Sequence, residues 1–358
     1  MPDLEEEVLA RIERQRKLKA RFRDDHITMA HGAGGKTTHT LVEGLFAHAF
    51  SNAALDDLSD AANLEMGGAS IAFTTDVYVV KPLTFPGGSI GELAVNGTVN
   101  DLAVSGARPV ALSSAYVIEE GLDADILRHE VHAMAEAART AGVSIVCGDT
   151  KVVERGKCDG MYICTSGVGL RDPRANLSSR SARPGDQIIC SGYVGDHGTA
   201  IMLARGELDL DADVESDTAS VWNLVEALLD AAGPDLRVMR DPTRGGVATV
   251  LNEIAHDSNV GMVLDEEAVP VRYPVRGACE ILGIDPMYVA NEGKLLVVVA
   301  AESAASALAA LKATPGGEDA ALIGRVQDQP EGMVLVRTAF GGTRIMDMLI
   351  GDPLPRIC

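Results

Sequence analysis

Aromatic residues are scarce here, 4% of 358 positions with a single Trp, while glycines number 37. A chain rich in Ala, Val, Leu and Gly suits close-packed mixed sheets and helices joined by tight turns. Positive charge is also short: 31 Lys and Arg stand against 52 Asp and Glu, giving a net charge of −21 and a pI near 4.7. Such a surface repels phosphate backbones and anionic lipid headgroups, which argues against nucleic acid and membranes as partners. An anionic substrate would need metal ions, glycine-loop amides or a few placed cations. None of the six cysteines forms a Cys-x-x-Cys pair. Cys147, Cys164 and Cys190 sit in apolar, strand-like stretches and read as small buried hydrophobes. With a charged start, DLEEEVLARIERQRKLKARFRDD, and no long apolar run, the chain reads as cytoplasmic with reduced thiols.

What is present suffices for two α/β domains with mixed sheets and flanking helices. Residues 1–25 carry helical periodicity through Leu4, Val8, Ile12 and Leu18 and form an appended extension. Residues 26–180 form a first domain, with strands IAFTTDVYVV, ALSSAYVI, VSIVCGDTKVV and GMYICTSGVGL and helices over 90–105 and 124–140. The turn SARPGDQ opens a second domain, 181–340, with helices over 198–205, 221–232 and 247–257 and strands GMVLDEE, KLLVVVA and ALIGRVQ. Residues 341–358 read as a mobile tail.

Several segments can carry chemistry. His31 to Thr38, HGAGGKTT, is a glycine-rich turn entering a helix: either a phosphate-approach loop assisted by Lys36 or a structural turn, and not a Walker motif. An apolar strand runs into Asp76, which can reach a cation or cap a turn. In the segment SIGELAVNGTVNDLAVSGAR, Ser89 and Glu92 form a capping box, and Asn96, Asn100 and Asp101 are polar positions on a buried helix that need partners. A further strand runs into Asp149, followed by Lys151. Carboxylates such as Asp76, Asp101 and Asp149 at the ends of separate elements are what hard cations on a triphosphate require. Asp241 to Val247, DPTRGGV, opens a helix whose N-terminus, with Thr243, Arg244 and Gly245, can hold phosphate or be a plain cap. Glu292, in NEGK, reads from its setting as a solvated loop residue. The terminal GDPLPRIC ends on a thiol, Cys358, carried by a proline-stiffened rod.

Together TTD (74–76), GTVNDLAVSGARP (97–109), GDTKV (148–152), the HGAGG loop, NEGK and the terminal PRIC resemble the carbamoyl dehydratase family of hydrogenase maturation, the HypE proteins. That family lies in the superfamily of aminoimidazole ribotide synthetase, selenophosphate synthetase and thiamine monophosphate kinase. The resemblance covers His26 to Cys358. It implies a two-domain ATP-binding fold that pairs through the sheet of its first domain into a homodimer. It also implies Mg²⁺ on Asp76, Asp101 and Asp149, and nucleotide contacts from Gly32, Gly34, Gly35, Lys36 and Asn100. Cys358 matches the carrier thiol, and Glu292 and Lys151 match the Glu and Lys implicated in the family's dehydration, Glu292 as the base and Lys151 setting charge and orientation. The implied reaction is ATP-dependent dehydration of an S-carbamoyl group on Cys358 to a thiocyanate. The implied partners are the carbamoyltransferase HypF and the iron-carrying HypC–HypD complex. The competing readings are a small-molecule kinase or synthetase of the same superfamily and a catalytically silent ATP-binding scaffold.

Overall fold

A computed structural model describes residues 21–55, 58–206, 212–351 and 356–358. The helical periodicity of residues 1–20 and the tail prolines Pro353 and Pro355 lie outside the described residues. No helix among the described residues is long and apolar enough to cross a membrane.

The first sheet has five strands, β1 (Ala62–Met66), β2 (Ala69–Tyr78), β5 (Ala107–Glu119), β6 (Ser144–Val153) and β7 (Met161–Arg171), in the order β1-β2-β7-β5-β6. A two-stranded hairpin, β3 (Thr84–Phe85) and β4 (Gly88–Ser89), precedes the first long helix. Only the β5–β6 pair is parallel. Helix Ile90–Val104 is apolar on nearly every side and buried, and helix Ala124–Thr140 packs on it with a strongly amphipathic pattern. The capping box forms only in part. Glu92 takes the Ser89 amide, but the Ser89 hydroxyl has no partner, and the Gly91 amide is instead held by buried Glu130 at 3.0 Å.

Alternation along the strands gives the sheet two unlike faces. The residues turned toward helix 90–104, such as Ala72, Tyr78, Met161 and Ile163, are buried. The opposite face leaves Phe73, Val77, Val117, Val168 and Leu170 exposed.

The second sheet has seven strands: β8 (Gln187–Cys190), β9 (Leu236–Arg240), β10 (Gly261–Asp265), β11 (Leu296–Val299), β12 (Ala321–Gln327), β13 (Met333–Arg337) and β14 (Thr343–Met346). Their order is β14-β13-β10-β12-β8-β11-β9, with only β10–β13 parallel. Every residue of β11 is buried because both faces are covered. Helix Gly246–Asp257 supplies one core and helices Trp222–Ala232 and Ala304–Lys312 the other.

Two sequence expectations need correction here. The segment read as tail from residue 341 includes β14, which pairs with β13, so the sheet continues to Met346. Cys147 is exposed on the edge strand and Cys164 is half-buried; of that group only Cys190 is buried.

Candidate active site

Four carboxylates converge between the sheets from four separate elements. Asp76 comes from β2, Asp101 from helix 90–104, Asp241 from the end of β9 and Asp60 from the loop before β1. Thr74 donates its hydroxyl to Asp101 at 2.7 Å, and Tyr78 donates to Asp76 at 3.2 Å. Oxygens of Asp60, Asp101 and Asp241 lie within 4.8 Å of one another. Removal from water raises the pKa of all three, and mutual repulsion adds to it. Asp101 is pushed well up by burial and then by Asp76 and Asp241, and Asp241 is pushed up to about 8 by burial and then by Asp60. Arg240 opposes this, bonded to Asp60 at 2.6 Å and Glu253 at 3.1 Å. A crowd of hard oxygen donors that one arginine does not neutralise suits a divalent cation.

A cavity of about 230 Å³ opens beside this cluster, and Asp76, Asp101, Asp241, Arg244, Glu292 and Cys358 line it. Thr243 and Arg244 reach it from the turn that opens helix 246–257. Gly245 makes that turn with a positive φ of 74°, where a Cβ would meet the Thr249 hydroxyl at 2.1 Å. Nearly buried Arg244 is held charged chiefly by the negative charge borne at Cys358, with Asp76 and Glu292 adding to it.

Glu292 is 3% exposed, not solvated, and its Oε1 has no hydrogen-bond partner. Burial first, then Asp241, Asp217 and Asp76, push its pKa well above the usual range, and Arg244 opposes them. Its backbone is fixed on both sides: its amide donates to Asp217 at 3.0 Å and its carbonyl accepts from Asn100 at 2.9 Å. An acid held rigidly with an unpartnered oxygen in a polar cavity is poised for proton transfer.

The chain's last residues are docked inward. Val79 N–H donates to the Cys358 carbonyl at 3.1 Å and Lys81 N–H to that of Arg356 at 3.4 Å, so the terminus extends the end of β2. Arg356 bonds the Val79 carbonyl at 3.2 Å and Asp159 at 2.6 Å, and Ile357 is buried in the first core.

Of the residues expected from sequence, the cavity gathers Asp76, Asp101, Thr243, Arg244, Glu292 and Cys358. Others stand elsewhere. Pairing across the sheet sets Val77, Cys164, Ala115 and Asp149 in one row, so Asp149 faces outward, opposite to Asp76, and Lys151 follows two residues on. These two pair with each other at 2.6 Å, both well exposed, and neither reaches this cavity. Asn100 is spent on backbone: its oxygen accepts from Val221 N–H, and its amide donates to Ala219 and Glu292 carbonyls. Its side chain holds those loops together and is not among the residues lining the cavity. The glycine-rich loop backs onto the chain itself. A Cβ on Gly34 would meet Arg244, one on Gly35 would meet the Leu349 carbonyl at 2.2 Å, and Lys36 is paired with Asp347 at 2.6 Å; Gly32 has open space beside it. Asp60 carries no sequence signal for this cluster, and Asp241 reads in the sequence as part of a helix-opening turn. Asp241, ending the strand LRVMR, carries the same strand-end signal as Asp76.

The fold and this cluster define an AIR synthase related protein. The N-terminal domain of that family matches residues 58–171 and its C-terminal domain residues 183–337. The carbamoyl dehydratase HypE of Rhodobacter capsulatus is 52% identical over 340 residues, which is 94% of this chain and 99% of the relative. A crystal structure of HypE in complex with ATP superposes with a TM-score of 0.78 at 49% identity, covering 93% of this chain and all of that one. HypE in a HypE–HypF complex gives a TM-score of 0.82 at 48% identity, covering 86% of this chain and 99% of that one. The chain belongs to the HypE family of carbamoyl dehydratases.

Proposed function

We propose that this chain accepts a carbamoyl group on Cys358 and, with ATP and Mg²⁺, dehydrates it to a thiocyanate that supplies cyanide to the iron of a [NiFe]-hydrogenase. The observation that carries this reading is the meeting of Cys358, Glu292, Arg244 and the carboxylate cluster in one cavity. A kinase or synthetase acting on a free metabolite has no use for the chain's own terminal thiol there, and a silent scaffold has no use for a buried, unpartnered Glu292.

The chemistry requires the carbamoyl oxygen to become a leaving group. That oxygen attacks the γ-phosphorus, the bond to the ADP oxygen breaks, and loss of one N–H proton leaves an O-phosphorylated iminol. Glu292 then takes the second N–H proton as the C–O bond to phosphate breaks and the nitrile forms. The balance is carbamoyl plus ATP giving thiocyanate, ADP, phosphate and one proton. Arg244 and the N-terminus of helix 246–257 favour the phosphates. Asp60, Asp76, Asp101 and Asp241 are the residues fitted to hold Mg²⁺, which would screen the charge of the transferring phosphoryl group. A cation held by Asp241 and Asp76 would offset part of the repulsion that, after burial, raises the Glu292 pKa, and so favour its basic form.

Asp149 and Lys151 serve this chemistry through a second copy of the chain. The outward sheet face that bears them is lined by exposed Phe73, Val77, Val117, Val168 and Leu170, an apolar surface suited to a homodimer. The carbamoyl donor is a HypF-type carbamoyltransferase, and the acceptor of cyanide is a HypC–HypD complex. Both need Cys358 outside the cavity, so the tail exchanges between inward and outward positions.

Mass spectrometry of the C-terminal peptide tests the reaction. After carbamoylation, adding Mg-ATP should remove one water from that peptide; phosphorylation of a free metabolite with an unchanged peptide would instead support the kinase reading. A second result concerns the cation. Asp101 and Asp241 have raised pKa values in the fold, so their protonated forms are favoured. Stability from these groups is fully present below the ordinary carboxylate range and is lost as pH rises toward about 8, the value for Asp241. Without Mg²⁺ the melting temperature should fall by several degrees across that window, and Mg²⁺ should restore it most at the alkaline end. Asp241→Asn should remove most of the Mg²⁺ effect, and a Mg²⁺ shift that does not depend on pH would take the cation away from this cluster.

A further inference from the structure

The docked terminus is also met by one wholly buried side chain outside the carboxylate cluster. His197, in helix Asp196–Ala204, directs Nε2 at the carbonyl of Ile357, the residue before the carrier cysteine, at 2.8 Å. A carbonyl only accepts, so Nε2 carries the proton. The neutral ring then presents Nδ1 as an acceptor, and the Ser216 hydroxyl donates to it at 2.8 Å. Burial holds the ring's pKa down, which favours the neutral ring. The edge-on ring of Phe85, 5.7 Å away between centroids, closes another side. The orientation of the imidazole is thereby fixed from Ser216 and Phe85 before the tail arrives.

Ser216 is followed by Asp217, whose Oδ1 accepts the amide of Glu292 and whose Oδ2 lies 3.3 Å from Lys294 Nζ. The loop carrying both is pinned to helix 90–104, where Asn96 bonds Thr218, and Asn100 bonds the backbone of Ala219 and Val221. One two-residue step of chain therefore sets the ring that holds the carrier and the backbone of the base. This accounts for the buried asparagines of that helix.

We propose that His197 is a positioning residue: it latches the Ile357 carbonyl so that Cys358 is registered against Glu292 through the Ser216–Asp217 step. The proposal rests on Cys358 being the carrier. Other contacts share the load, since Arg205 donates to the Lys81 and Arg356 carbonyls at 3.0 and 2.7 Å. Those contacts hold the approach of the tail, whereas His197 grips the residue next to the thiol.

The test follows two half-reactions of the same thiol on the C-terminal peptide. Carbamoyl acceptance needs the tail outward, and water loss with Mg-ATP needs it inward. His197→Leu, which keeps bulk but removes the donor, should accept carbamoyl at least as fast as the parent. It should lose water about five- to tenfold more slowly, the effect of one buried hydrogen bond. His197→Gln, which can donate from near the Nε2 position, should recover most of that rate. Alkylation of Cys358 by iodoacetamide, read on the same peptide, should accelerate in the Leu variant by about the same factor. Unchanged alkylation and water loss in both variants would overturn the latch. So would a parallel loss of both half-reactions and of the Mg-ATP thermal shift, which would make His197 a general packing residue. If the parent chain itself loses no water, the functional reading fails, and the alkylation rates alone still decide the latch.

Discussion

Cys358→Ala is expected to accept no carbamoyl group while binding Mg-ATP within about twofold of the parent chain. The docked terminus is held by backbone groups and by Arg356: Val79 N–H meets the Cys358 carbonyl, and Arg356 meets Val79 and Asp159. None of these needs the sulfur. Arg244 also keeps Asp76 and Glu292 as negative partners when the thiol goes. Removing one atom thus takes away the carrier and leaves the architecture of the cavity, so the loss belongs entirely to chemistry. Isothermal titration should give the unchanged affinity, and intact-mass analysis after incubation with the carbamoyl donor should give no added mass. Added mass on the variant would transfer the carrier role to another thiol. Exposed Cys147 and half-buried Cys158 and Cys164 would be the ones to map.

Legibility of the sequence follows the range of the interactions that decide each feature. Helix 124–140 is readable to both ends because its signals are local: Asp123 caps it by accepting the Asp125 amide, and its polar and apolar faces differ sharply. Helices Tyr273–Leu282 and Ala304–Lys312 go unassigned in the sequence. The first carries Gly277 at its middle, and the second is mostly Ala, with little contrast between its faces. A carboxylate at the end of an apolar strand is equally visible at Asp76 and Asp149. Which face it takes is a matter of parity across three pairings, and those place the two on opposite sides of one sheet. Asn100 was visible as a buried polar residue needing partners. That the partners are three backbone groups in distant loops is a long-range fact. Recognition of the family from short motifs succeeds because it does not require these distances, whereas the assignment of each residue to a role does.

Glu292 is where the two kinds of reading diverge most, and its replacement should separate them. A loop Glu seen in isolation belongs in water, yet here Asn100 and Asp217 fix its backbone and the cavity closes around it. Glu292→Gln keeps size and shape, and because Oε1 has no partner to lose, the substitution should barely disturb folding. It should accept carbamoyl and bind Mg-ATP, then stall: with no basic oxygen, the nitrogen proton stays and the peptide keeps its water. The expected loss in turnover is roughly a hundredfold or more, the scale of a general base, with little change in the half-saturating ATP concentration. Raising the pH should not rescue the variant. The parent, whose carboxyl pKa is raised by burial and then by Asp241, should gain rate as pH rises. Single-turnover mass analysis across pH measures both. Near-parental thiocyanate formation by Glu292→Gln, with the same pH profile, would remove Glu292 from proton transfer. The base would then be Lys151 delivered by a second copy, or an oxygen of the departing phosphate.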